Sequence, residues 1–303
     1  MKGETNSHYD RLTMAQKQQI QAYIFLAVPL LFYCLIRFYP AFKGLYLSLT
    51  DWNMVGKPEF IGLKNFYALW HDEQFWHVLV NTLKYLFLGM PITLVFAFTV
   101  AFFLDKIRFM HGFLRALYFL PYLSTAAAMA WVWRWLYQRP PMGILNNFLM
   151  EAGFPEQDFL LSPTQALPSI LVVVIWAVMG FQVVIFLAGL RAIPESYYEA
   201  ARIDGAGPFR QLFEITLPLL RPTIIFLIVM SSITFLRIFD YVYNMTKNGQ
   251  GGPFDSTRTL VVNIYNAGFQ SSQMGYAAAQ TVVLFIMLLM ITILQMSLLR
   301  NKT

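Results

Sequence analysis

Long apolar runs alternate with short polar ones along this chain of 303 residues. Six stretches, near 20–48, 78–104, 113–137, 166–190, 222–245 and 277–299, are apolar over the roughly 20 residues a helix needs to cross hydrocarbon. Inside hydrocarbon, backbone N–H and C=O groups must be satisfied within the protein, so the pattern predicts helices and not strands. The expected fold is all-α, a polytopic membrane protein with six transmembrane helices. A polar leader, residues 1–19, precedes the six-span domain, residues 20–303. The first apolar run is too long for a signal-peptide core and lacks a small-residue cleavage site, so it is expected to be retained.

One polar stretch differs from the others. Residues 194–218 are charged and helix-forming, yet they lie between the fourth and fifth apolar runs. Pro194 suits the first turn of a helix, where its missing N–H is not needed. Glu195 follows at the positive helix end. Gly205 can adopt the left-handed conformation that ends helices. Gly207-Pro208 then turns the chain into a second helix, with Phe209, Leu212 and Phe213 on one apolar face. Pro218 and Pro222 are expected to end it. A charged hairpin between spans suggests a docking surface; periodicity alone equally describes an amphipathic helix lying on the membrane.

Composition agrees with a membrane setting. The chain is 57% hydrophobic and 13% charged, against about 25% charged in soluble domains. The net charge of +6 suits basic cytoplasmic loops better than nucleic acid, which is not an expected partner. With a cytoplasmic N-terminus, the inner segments hold twelve Lys and Arg, among them Arg191, Arg202, Arg210 and Arg221. The outer loops hold five: Lys57, Lys64, Arg139, Lys247 and Arg258. Both termini and the hairpin are therefore expected to face the cytoplasm. The single cysteine, Cys34, cannot form an internal disulfide and is expected to be a buried packing residue.

Several chemistries find no support. There is no G-x-x-x-x-G-K-[ST] to hold nucleotide phosphates, and no G-x-S-x-G or Cys/His pair for hydrolysis. His8, His71, His77 and His111 show no metal-ligand spacing. No threefold repeat of the mitochondrial-carrier type is present.

Within the spans, Arg37, Lys43, Lys84 and Arg134 lie near ends from which they can snorkel. Arg237 and Asp240 lie about one turn apart, so they would share a face and pair, either structurally or along a substrate path. Flat aromatic faces with amides and hydroxyls suit a sugar. The fourth span offers Trp176, Phe181 and Gln182, the fifth Tyr241, Tyr243 and Asn244, and the sixth Gln280 and Thr281. Trp131, Trp133 and Trp135 read as an interfacial aromatic belt.

The run Glu199-Ala200-Ala201-Arg202-Ile203-Asp204-Gly205, with Ile215-Thr216-Leu217-Pro218 at fixed distance, resembles the EAA signature of ABC-importer permeases. Further segments are similar to the carbohydrate branch, which includes the larger maltose-system permease and the glycerol-phosphate and disaccharide permeases. They are Phe60-Ile61-Gly62-Leu63-Lys64-Asn65-Phe66, Leu187–Pro194, Phe239-Asp240, Thr259-Leu260-Val261 and Met274–Ala279. Thr246–Gly252 departs from it, being longer than that branch's Thr-Gly-Gly-Gly.

The resemblance implies an ATPase-coupling hairpin carrying Glu199, Ala200, Ala201, Gly205, Ile215, Leu217 and Pro218. Glu199 would meet a basic group on the ATPase, Gly205 would form the bend, and the two alanines would allow close approach. It implies a non-enzymatic permease in a bacterial inner membrane, paired with a second homologous permease. Two cytoplasmic ATPase subunits would hold ATP and magnesium, and an extracytoplasmic solute-binding protein would deliver a sugar, oligosaccharide or polyol. This chain would need no cofactor. Polyamine or phosphate importers share the hairpin without the carbohydrate-type outer loop, and a membrane scaffold or sensor docking through the hairpin is the reading from another class.

Overall fold

The computed structural model describes residues 13–107 and 111–300. Part of the expected leader therefore lies outside the described residues, as do His8, Lys2, Arg11, Arg108 and Lys302. The described residues are mostly helical: α1 (Met14–Leu47), α2 (Lys64–His71), α3 (Glu73–Lys106), α4 (His111–Leu123), α5 (Ala126–Leu136), α6 (Ile144–Glu151), α7 (Ala166–Arg191), α8 (Glu195–Ile203), α9 (Pro208–Leu219), α10 (Arg221–Leu236), α11 (Asp240–Met245), α12 (Leu260–Tyr265) and α13 (Met274–Arg300). Two short strands, β1 (Thr50–Asp51) and β2 (Glu59–Phe60), pair antiparallel after α1.

Four helices, α1, α3, α7 and α13, are long and apolar enough to cross a membrane, or up to six spans if each of two bent pairs counts as one. The stretches read from the sequence as unbroken at 113–137 and 222–245 are interrupted. Helices α4 and α5 meet at 94°. Thr125 caps α5, its hydroxyl accepting from Ala128 N–H at 3.4 Å, and so supplies a helix start inside an apolar run. Helices α9 and α10 meet at 66°. Beyond α10 the helical conformation is lost at Arg237 and Phe239 before α11 begins. The freed Ile238 carbonyl accepts a 2.7 Å bond from Thr259 Oγ1, so the break leaves that buried group satisfied. Arg237 and Asp240 stand on opposite sides of this break. The ion pair expected from a shared face is not formed, and both side chains are exposed.

Proline shapes the helices in a second way. Turns Cys34–Phe38, Tyr85–Gly89 and Leu212–Thr216 are wide turns with i→i+5 bonding. Each lies just before a proline: Pro40, Pro91 and Pro218. Proline has no N–H and crowds the carbonyl four residues back. Those carbonyls belong to Ile36, Phe87 and Glu214, each in the middle of a wide turn, where the extra residue makes room for the ring.

The core lies around α7, which buries fourteen of its 26 residues. One cluster joins Tyr85 and Leu86 of α3, Ile170 and Val174 of α7, Phe235 of α10 and Val242 of α11. A second joins Ala97 and Ala101 of α3 to Val183, Phe186 and Leu190 of α7 and Leu227 of α10. Gly89 permits this approach, since a Cβ there would collide with the Phe235 ring. At the periphery, α1 buries none of its side chains, and Cys34, expected to be buried, is exposed.

Candidate functional site

The hairpin following α7 is built from local chemistry. Pro194 caps α8 in the extended conformation, one position before the first turn expected for it, and Glu195 follows at the positive end. Gly205 takes φ +77°, in the left-handed region. Ala206 N–H then reaches back to Ala201 C=O at 2.8 Å and Gly205 N–H to Arg202 C=O at 3.1 Å, closing the end of α8. Gln211 Nε2 donates to Ala206 C=O at 2.8 Å and ties α9 to the bend. The hydroxyls of Tyr198 and Thr216 share a 3.1 Å bond across the two helices. Pro218 lies inside α9 and does not end it; the break comes at Leu220.

The hairpin presents a mixed face. Glu199 and Ala200 are exposed, and Glu199 has no ion pair among the described residues. Ala201 is turned inward and buried, whereas Ile215 and Leu217 are half-buried and Pro218 is exposed. At the tip, Ile203 is 86% exposed and Phe209 80%, a large apolar surface for so short a segment. Arg202 reaches Glu195 at 3.0 Å and Arg210 reaches Glu214 at 2.8 Å. Behind the hairpin lies a cavity of about 740 Å³, bordered by Asp105, Lys106, Arg191, Glu195 and Arg202. Arg191 Nε meets Asp105 Oδ1 at 3.3 Å, joining the base of the hairpin to the end of α3.

The residues expected along a substrate path do not converge on one cavity. Gln182 is 3% exposed and donates from Nε2 to Ser231 Oγ at 2.9 Å, bridging α7 and α10. Gln280 is fully buried and accepts from Asn263 Nδ2 at 3.0 Å. Asn244 is half-buried, and its amide donates back to Asp240 C=O at 2.8 Å. Tyr241 packs against the first core cluster. Trp176 borders a separate cavity of about 350 Å³ with Tyr118 and Met179. The tryptophan series is divided. Trp131 and Trp135 are exposed, as a belt requires, whereas Trp133 packs edge-on against Trp176 with centroids 5.6 Å apart.

The sequence reading placed loops but no cavity at the opposite end of the molecule. Helix α7 spans about 39 Å at 1.5 Å per residue, with the hairpin beyond its last residue and two cavities beside its first. The larger, about 940 Å³, is bordered by Arg134, Arg139, Lys247 and Phe254. The other, about 570 Å³, is bordered by Asn81, Lys84 and Phe254. Arg139 pairs with Asp158 and, at 3.5 Å, with Glu156. The Asp158 hydrogen bond and then its charge hold this guanidinium above the ordinary arginine value. Asn248, Phe254 and Asp255 take positive φ beside Gly249, Gly251 and Gly252, and of these the glycines and Asn248 were the sequence signal of that backbone.

Comparison with known proteins places these features. The family described as "Binding-protein-dependent transport system inner membrane component" matches residues 73–302. The sulfoquinovosyl glycerol transport system permease SmoG of Agrobacterium fabrum (strain C58) is 32% identical, over 94% of this chain and 92% of that protein. The lactose transport system permease LacF of Rhizobium radiobacter is also 32% identical, over 94% of this chain and 96% of its own. A chain of a bacterial alginate ABC transporter, crystallised with an alginate pentasaccharide-bound periplasmic protein, shares the fold with a TM-score of 0.83 at 24% identity, covering 97% of this chain and 99% of that one. The chain belongs to the family of binding-protein-dependent transport system inner membrane components and is a permease subunit of an ABC importer.

Proposed function

We propose that this permease passes a carbohydrate or polyol and that α8–α9 is its coupling element, docking on a cytoplasmic ATPase that holds ATP and magnesium. The observation that carries the reading is the hairpin itself. It is closed at Gly205 and projects Glu199 with the apolar tip Ile203 and Phe209. An exposed carboxylate beside large apolar side chains suits a cleft with a basic group, and the charge would orient the docking. The names of the relatives, transporters of glycosides and of lactose, support the substrate class. A second permease would pair with this one, and α1, apolar over most of its length beyond Gln21 and with no buried side chain, leaves area for it or for lipid. A solute-binding protein would meet the far end, with the termini and the hairpin in the cytoplasm of a bacterial inner membrane.

The test is ATP-driven uptake by vesicles carrying the assembled importer. Glu199→Lys places like charges together, which is expected to lower uptake and ATPase association about tenfold or more while membrane insertion is unchanged. Full uptake by this variant would show the hairpin to be a surface helix only.

A further inference from the structure

Lys and Arg are scarce on the side expected to face outward, yet several meet around one side chain. Phe254 is 89% exposed and borders both far-end cavities. Arg134, Arg139 and Lys247 border one cavity and Lys84 the other, and no Asp or Glu lines either. Arg139 is neutralised by its two carboxylates. The other three are not: among the described residues no carboxylate lies within ion-pair distance of Arg134, Lys247 or Lys84. Arg134 instead stacks 4.9 Å over Trp131 and donates to Asn244 C=O at 3.3 Å.

The segment carrying Phe254 is held in an unusual backbone. Asn248, Phe254 and Asp255 all take positive φ, at 55°, 51° and 57°. The segment is fixed from outside. Asn81 Nδ2 donates to Asp255 C=O at 2.9 Å, Gln74 Nε2 to Asp255 Oδ2 at 2.9 Å, and Arg258 pairs with Asp255 at 2.9 Å. Such conformations persist only where the surroundings impose them, and they cluster at ligand sites. The result is an aromatic side chain presented to solvent, with two unneutralised cations, Arg134 and Lys247, bordering the cavity on one side and a single one, Lys84, on the other. Sugar rings lie on aromatic faces, and carboxylate, phosphate or sulfonate groups seek guanidinium and ammonium donors.

We propose that the two cavities, divided by Phe254, form a binding site for an anionic saccharide, its ring against Phe254 and its acid group on Arg134 and Lys247. The proposal rests on the reading that this permease passes a carbohydrate, and it narrows that class to acidic sugars. The assembled importer, in nanodiscs of neutral phosphatidylcholine without ATP, would be titrated with digalacturonate and with lactose, read by isothermal titration calorimetry. Digalacturonate should bind saturably and about tenfold or more tighter than lactose. Lys247→Gln, an exposed-loop change that disturbs no packing, should weaken it, and Arg134→Gln with Lys247→Gln should weaken it about tenfold or more. Phe254→Ala should weaken both sugars, and Lys57→Gln, remote from the cavities, should change neither.

Equal affinity for the two sugars, or unchanged binding by the Lys247 variants, would overturn the site. Displacement of digalacturonate by anionic phosphatidylglycerol in the nanodisc would overturn the saccharide and assign the cations to lipid headgroups. ATP-driven uptake of either sugar, digalacturonate or lactose, tests the importer reading separately, because the titration needs neither coupling nor hydrolysis.

Discussion

Gly205 and Gln182 are both single residues singled out by sequence, and they fare differently in three dimensions. Gly205 sits at φ +77° with open space around the position where a Cβ would stand. The penalty for Gly205→Val is therefore one of backbone conformation, about 1–2 kcal/mol for an L-residue in this region. The variant is expected to insert normally and to lose ATP-driven uptake; unchanged uptake would make the bend dispensable. Gln182 reads from sequence as a path residue, but it is sealed between α7 and α10 against Ser231. Gln182→Leu and Ser231→Ala are each expected to lower thermal stability by about 0.6 kcal/mol, a common worth of a hydrogen bond between spans, with uptake retained. Selective loss of uptake in either would return the pair to the path. The glycine was legible because its role is local. The glutamine was not, because its partner lies 49 positions away.

Elements were legible where length alone decides and illegible where a cap or a break does. Summed hydropathy sees residues 113–137 as one run, but it is blind to the hydroxyl of Thr125 that starts α5. It likewise passes over Arg237–Phe239, where the interruption is stabilised by Thr259, far along the chain. Thr259 Oγ1 both donates to Ile238 C=O and accepts from Val262 N–H. Thr259→Val keeps the shape and removes both bonds. It is expected to destabilise the protein by about 1–3 kcal/mol, the cost of a buried group left unsatisfied. Thermal unfolding of the purified permease measures it, and a midpoint equal to that of the unaltered protein would show that the break is held otherwise.

At the scale of the whole molecule, the hairpin and the Phe254 cavities lie at opposite ends of α7, so they should face opposite sides of the membrane. In a background with Cys34 replaced, cysteines at Lys57 and Glu151 are expected to react with an impermeant thiol reagent on whole cells, and one at Arg210 to react only after lysis. All three positions are exposed. Reaction at Arg210 in intact cells would invert the orientation. The far-end cavities themselves were invisible in the sequence. The walls of the larger come from Arg134–Leu161 and Met245–Phe254, and those of the other from His77–Leu88, Pro163–Pro168 and Phe254–Ser256, segments distant in sequence that only the packing of the helices brings together.

The three wide turns that precede prolines have a mechanical consequence. A turn that closes every five residues holds one residue more than its neighbours, and each residue of a helix carries about 100° of rotation. The proline behind each turn prevents that surplus from being expelled, so it fixes the angle at which one half of the span faces the other. In α3 this proline is Pro91. Pro91→Ala would let the turn tighten and swing residues 92–106 about the helix axis by up to about 100°. Ala97, now buried, and Phe96, now exposed, would then exchange their surroundings. Single cysteines at these positions would exchange their reactivity toward a lipid-soluble maleimide, and unchanged reactivity would show that packing alone fixes the angle. In such a span the imino acid acts as a lock on rotation, and the helix remains continuous through it.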